Sequence, residues 1–198
     1  MLELLKTITT IDVLSGNRLA LGVGSGWNRR EMEALGYDFD SRGERMNEML
    51  TVLRGLHETS VAPFDGKQIV VPAGVRMSPA NRATPIYIGG SGVSQVSLRR
   101  TLAFGDGWMP YAMAGAYDAV ALRRTLRFLH EERLREGKEP FDTIFKLGVD
   151  GHASDLLVPS VRELAEIGFD EIIVQGIFDA GPDAGIATIR RIREMLEA

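Results

Sequence analysis

Five times along this chain a short, nearly continuous apolar run gives way to a segment with helical periodicity, and that alternation constrains the fold more than any other feature. The runs cover residues 19–24, 86–89, 107–109, 144–149 and 172–176. A strand that is apolar on both faces needs cover on both faces, which parallel sheets obtain from helical crossovers of right-handed sense. Two architectures satisfy this: an open doubly wound sheet, or part of a (β/α)8 barrel. A complete barrel takes about 250 residues, whereas this chain has 198 and opens on a helical pattern, residues 2–13, with no strand ahead of it. The alternation therefore predicts an α/β fold of the (β/α)8 TIM-barrel type, incomplete, with about five C-terminal strand-helix units in a single domain over residues 1–198.

The helical segments carry ordinary start and stop signals. Residues 2–13 place Leu4, Leu5, Ile8 and Ile11 at helical spacing and stop at Ser15-Gly16-Asn17. Ser41, with Glu44 three residues on, reads as the cap of a helix carrying Met46, Met49, Leu50 and Leu53. On that helix Arg42 and Arg45 are expected to pair with Glu44 and Glu48. Further helices are expected over 94–104, 117–135, 159–168 and 185–197. Residues 59–84 break the alternation with Pro63, Pro72, Pro79 and the Phe64-Asp65-Gly66-Lys67 turn. They read as a hairpin-bearing insertion on the surface.

Composition removes several function classes. Cysteine is absent, so thiolate metal sites and cysteine nucleophiles are excluded and a reducing cytoplasm is the expected compartment. His57, His130 and His152 are too scattered for a zinc site, and no metal is expected. No apolar run approaches the ~20 residues of a membrane span, and a net charge of −4 without a concentrated basic face argues against nucleic acid. What remains is a small-molecule substrate.

Glycines cluster where strands end. Gly22-Val-Gly24-Ser25-Gly26-Trp27 follows the first strand, but neither register completes G-x-G-x-x-G, so it is not a dinucleotide fingerprint. It is either a tight turn or a backbone cradle for a flat ligand, and an indole at a strand's carboxyl end favours the ligand. Gly89-Gly90-Ser91-Gly92 follows the second strand and leads into a helix capped by Ser91 or Ser94, where amides and hydroxyls converge on an anion. The competing reading is an ordinary capped helix. Arg99 and Arg100 beyond it read as solvated surface, as do Glu31, Glu33, Asp38 and Asp40. Trp108, in Asp106-Gly-Trp-Met-Pro110, ends a strand, and His152 sits just past another. No general acid-base pair emerges, so catalytic residues stay unassigned.

Together these motifs resemble the luciferase-like monooxygenase superfamily. The resemblance is carried by the run from Thr9 to Trp27, by Glu33-Ala-Leu-Gly36, by Arg42-Gly-Glu-Arg-Met-Asn-Glu48, and then by Pro85-Ile-Tyr-Ile-Gly-Gly90 and Gly105-Asp-Gly-Trp-Met-Pro110 in family order. It implies a (β/α)8 barrel that binds FMN or the deazaflavin coenzyme F-420 at the carboxyl-end mouth, with residues 59–84 as the family's insertion segment. The cofactor contacts it implies are Gly24, Ser25, Gly26 and Trp27, and a phosphate loop of Gly89, Gly90, Ser91, Gly92 and Ser94. Trp27 stands where some deazaflavin-dependent dehydrogenases of the family carry a glutamate acid. Relative to the family, three N-terminal strand-helix units are missing.

The expected activity is flavin- or F-420-dependent oxidoreduction of a small organic substrate, by hydride or oxygen transfer, with a lean to the deazaflavin. The rival is a non-catalytic truncated barrel that keeps the scaffold. Five strands cannot close an eight-stranded barrel, so the strands at 19–24 and 172–176 would present open edges. A homo-oligomer or a partner chain covering both edges is expected.

Overall fold

A computed structural model describes residues 1–80, 84–91, 93–149, 154–179 and 181–197. His152 and Gly92 lie outside the described residues. The five expected strands are present and form one parallel sheet: β1 (Leu21–Val23), β6 (Ile86–Ser91), β7 (Gly107–Met113), β8 (Asp142–Gly148) and β9 (Glu171–Gln175), in that order across the sheet. Registers Gly107↔Asp142 through Met113↔Gly148, and Ile144↔Glu171 through Gly148↔Gln175, align the carboxyl ends of the last three strands. This is the α/β architecture of part of a (β/α)8 barrel.

The chain divides into two compact units, one formed by residues 1–87 with 103–105, the other by the remainder. In the first, α1 (Leu2–Leu14) buries Leu5 and Ile8 but leaves Leu4, Ile11 and Leu14 exposed; its inward stripe continues through Thr9 and Asp12. Asp12 is buried because its carboxylate accepts the Leu19 amide. A short helix that the periodicity had not indicated, α2 (Arg29–Ala34), is started by Asn28, whose side chain accepts the Glu31 amide. Before α3 (Arg42–Arg54), Ser41 does not cap: its backbone is already helical and its hydroxyl donates to the Asp38 carbonyl. Asp38 does the work instead, accepting the Asp40 and Ser41 amides. Those bonds, Asp40's first, hold its carboxyl below the usual carboxylate range.

The expected ion pairs along α3 do not form. Arg42 and Arg29 lie over the Phe39 ring, 3.8 and 4.3 Å from its centroid, and Arg45 lies over Tyr37. Arg29 also binds Glu33 and Asp40, so this acidic group is partly paired rather than merely solvated. Glu44 takes Lys67, and Glu48 accepts the amides of Lys67, Gln68 and Ile69, each at 2.9 Å. A carboxylate that satisfies three backbone donors has no reason to seek a helical neighbour. The turn it tethers belongs to the second of two small antiparallel hairpins, β2 (Leu56–His57) with β3 (Ser60–Val61) and β4 (Phe64–Asp65) with β5 (Val70–Val71).

The second unit contains α4 (Gln95–Phe104) as far as Leu102, together with α5 (Ala119–Arg135), α6 (Ser154–Ile167) and α7 (Pro182–Glu197). Helix α6 begins earlier than its proline suggested, and Pro159 lies inside it. The core of this unit is aromatic: Trp108 and Phe145 flank Phe169 at 5.7 and 5.0 Å between ring centroids. Trp108 is wholly buried and belongs to this core, not to a ligand site. Arg100 is buried as well, contrary to a solvated reading, and burial lowers its pKa. Thr143 and Asp170 clasp the start of β8, the threonine donating to Asp170 Oδ2 through its amide and hydroxyl at 2.8 and 2.7 Å.

Candidate cofactor site at the carboxyl end of the sheet

Parallel strands direct their carboxyl ends, and the loops that follow, to one edge of the sheet, where barrel enzymes place their chemistry. At that edge of the second unit, a cleft of about 390 Å3 opens beside Ser91, the last residue of β6. It is lined by Tyr111 and Ala112 from β7, by Phe145 from β8, and by Tyr117, Asp118 and Leu122 where α5 begins.

The β7–α5 connection that walls the cleft is held from behind. Gly115 has φ +72°, which L-residues rarely adopt, and a Cβ there would meet Leu156 Cδ1 at 2.8 Å. Its amide donates to Ser160 Oγ at 3.1 Å. The Tyr117 hydroxyl donates to Glu163 Oε2 at 2.9 Å, with the Ser160 carbonyl 3.3 Å away. Burial, reinforced by Glu163, pushes the Tyr117 phenol up to about 12, so the wall presents a neutral phenol at ordinary pH. Asp118 accepts the Ala121 amide at 2.9 Å and caps α5.

The glycine-rich segment at β6 separates into distinct roles. Gly89 and Gly90 are half-buried members of the strand, and Ser91 is exposed at its end. A Cβ on Gly90 would lie 3.0 Å from Ser97 Oγ, so this glycine lets α4 approach the strand. Ser97 Oγ lies 3.4 Å from the Gly89 carbonyl it donates to, and Ser94 Oγ accepts the Ser97 amide at 3.5 Å. Ser94 thus faces its own helix as a long cap, whereas Ser91 is exposed at the end of the strand.

The other predicted group belongs to the first unit. Gly24, Ser25, Gly26 and Trp27 form the loop between β1 and α2. Nothing lies within 4 Å of the Cβ position at Gly24, and Trp27 is 87% exposed. Tyr111 and Tyr117 were not singled out from the sequence as site residues, although each is an aromatic at or just past a strand's carboxyl end, the same signal that singled out Trp27. Among the described residues no cluster of three His, Asp or Glu side chains is placed to hold a metal, and no helix is long and apolar enough to cross a membrane.

An uncharacterized protein of Mycobacterium tuberculosis is 32% identical over 182 residues, which is 90% of this chain and 59% of that protein. The chain therefore spans about three-fifths of that curated relative's length. A 5,10-methylenetetrahydromethanopterin reductase of Archaeoglobus fulgidus is 33% identical over 102 residues, 52% of this chain and 30% of the reductase. Among solved structures, an F-420-dependent secondary alcohol dehydrogenase in complex with an F-420-acetone adduct superimposes with a TM-score of 0.68 at 15% identity, covering 94% of this chain and 72% of that one; at that identity the likeness concerns the fold. The model of the luciferase-like monooxygenase family matches residues 2–149, three-quarters of the sequence, and the chain belongs to that family.

Proposed function

We propose that this chain is part of an oxidoreductase that binds coenzyme F-420 or FMN, with the phosphate-bearing part of the cofactor at the carboxyl end of β6. The observation that carries the reading is the exposed Ser91 hydroxyl at the strand end, beside an apolar cleft large enough for part of a cofactor. Membership of the family supports the redox class. The F-420-dependent dehydrogenase that shares the fold favours the deazaflavin.

The residues present fit such a group. Ser91 supplies a hydroxyl to an anionic oxygen, and the partial positive charge at the start of α4 adds roughly 0.3–1 kcal/mol of attraction. Tyr111, Ala112 and Leu122 offer apolar surface that excludes water. Tyr117, tied to α6, holds its part of the lining in place. When bound, the flavin or deazaflavin ring supplies the hydride or oxygen chemistry, and the protein contributes position and exclusion of solvent. Titration of each cofactor, followed by fluorescence or absorbance, tests the reading. Saturable binding of F-420 in preference to FMN is expected, and absence of binding by a cooperatively folded sample would overturn it.

A second reading, a scaffold that needs another chain, draws on the sheet itself. β1 and β9 are its terminal strands, and apolar side chains at the β9 end are partly open to solvent: Ile173 is 38% and Phe178 52% exposed. A homo-oligomer or partner subunit that covers these edges is the associated proposal. Light scattering at micromolar concentration tests it. A monodisperse monomer with cooperative unfolding would dismiss it.

A further inference from the structure

The parallel strands of the second unit divide their side chains between two faces. Trp108, Phe145 and Leu147 turn to the helices and form the core there, with Ile172 and Val174 packed against it. Alternation along each strand sends Tyr111, Met113, Lys146, Gly148, Ile173 and Gln175 to the other face. The registers set Lys146 between Tyr111 and Ile173, and Gly148 between Met113 and Gln175. Strands about 4.8 Å apart, with a rise of about 3.3 Å per residue, bring these side chains within the span of one small molecule. They stand in the carboxyl half of the strands, the end at which barrel enzymes hold their substrates.

Lys146 is the informative residue. It is half-buried on this face, and it makes no hydrogen bond, ion pair or ring contact among the described residues. Glu171 and Asp142 share the face but lie toward the amino end, Glu171 beside Ile144 and Asp142 at the start of β8, and neither pairs with the lysine. A partly desolvated ammonium without a partner is costly. The Tyr111 hydroxyl donates to Met113 Sδ at 3.0 Å, and a thioether is a weak acceptor. A Cβ on Gly148 would lie 2.6 Å from both that sulfur and that hydroxyl, so the glycine lets the phenol fold over the end of β8. Gln175 is exposed beside Gly148, and its side-chain amide makes no hydrogen bond among the described residues. One cation with two neutral donors matches a monoanion, and a carboxylate oxygen outbids a thioether for the phenol.

We propose that this face binds a small organic carboxylate, its oxygens accepting from Lys146 Nζ, the Tyr111 hydroxyl and the Gln175 amide, its hydrocarbon part resting on Ile144 and Ile173. Tyr111 also lines the cleft beside Ser91, so a ligand held here borders the proposed cofactor position. Naming that ligand the substrate rests on the cofactor reading, whereas its binding does not.

Calorimetric titration of the chain with hexanoate and hexanamide, in the absence of any flavin or deazaflavin, tests the site. Hexanoate is expected to bind saturably, and hexanamide at least about tenfold more weakly. Lys146→Met keeps a hydrocarbon stem and should weaken hexanoate at least about tenfold, with the thermal midpoint unchanged or higher because an unpartnered charge has been removed. Tyr111→Phe should weaken it about threefold while keeping a ring over Gly148. Absence of saturable heat with hexanoate would overturn the proposal, as would equal affinity for acid and amide, or Lys146→Met binding as tightly as the parent chain. Should Lys146→Met fail to fold, the comparison of acid with amide on the parent chain decides. Binding of hexanoate by a chain that takes neither flavin nor deazaflavin would remove the cofactor reading and leave this site standing, and the reverse result would remove this site alone.

Discussion

In the second unit, Trp108 and Phe145, each carried on a seven-residue strand, pack their rings against Phe169, and Leu122, Leu129, Leu147 and Leu164 belong to the same core. The first unit has strands of two or three residues and an aliphatic core of Leu5, Val52, Leu56, Val61, Ile69, Val71 and Met77. What it lacks in continuous sheet it recovers with side chains that bind backbone: Asp12 on Leu19, Asp38 on Asp40 and Ser41, Glu48 on the hairpin amides of residues 67–69. Long parallel strands generate burial by themselves, since both faces are covered. Short hairpins do not, and polar tethers set their place.

The contrast breaks first at Trp108. Trp108→Ala should cost about 3–5 kcal/mol by urea denaturation, as expected for a large, fully buried ring, whereas Trp108→Phe should cost clearly less, because the indole Nε1 has no partner to lose. A loss under about 1 kcal/mol for the alanine variant would mean that the aromatic core does not carry the second unit.

In the first unit the corresponding test is polar. Glu48→Ala leaves three amides without their acceptor and should cost about 1.5–3 kcal/mol, with hydrogen exchange at residues 67–69 accelerating before the rest of the unit. Glu48→Gln retains one acceptor oxygen and should recover part of the loss. Uniform exchange in both variants would show that the hairpin is held by packing alone.

A smaller effect separates Tyr117 from the core it borders. Its folded pKa, about 12, lies above the ordinary tyrosine value of 10.0. The unfolded chain therefore releases this proton first as pH rises, and the folded state loses stability between about pH 10 and pH 12. Below that window the term is fully present. Tyr117→Phe should show a shallower decline over the same range than the parent chain, and parallel curves would contradict the assignment.

How much of this was legible in the sequence depended on what kind of interaction decided each element. The five parallel strands and their order along the chain followed from apolar runs too continuous to face water, whereas the two short hairpins between residues 56 and 71 start ahead of the segment whose prolines drew attention. Boundaries moved where a side chain chose the backbone over its helical neighbour: Asp38 displaced Ser41 as the group organising the start of α3, and Glu48 left its arginines for the Lys67 turn. Spacing along one helix carries no information about a hairpin twenty residues away. Arg100 was misplaced for a related reason, since an arginine's burial depends on what packs over it. At the site, the glycines were visible but their roles were not: Gly90 serves the approach of α4, while Tyr111 and Tyr117 gained significance only once strand ends and the α5 connection were placed beside one cleft.

That division of roles makes Ser91, rather than Gly90, the residue on which the central claim is best tested. A substitution at Gly90 would press on Ser97 and confound folding with binding, whereas Ser91 is exposed and free to change. Fluorescence titration of F-420 against the parent chain and Ser91→Asp, with thermal unfolding of both measured in parallel, is the direct measurement. Saturable binding by the parent, weakened at least about tenfold in Ser91→Asp by repulsion between carboxylate and cofactor anion, with unchanged thermal midpoints, is the predicted result. Equal binding by the two proteins would contradict the account and leave the carboxyl end of β6 as nothing more than the start of a helix.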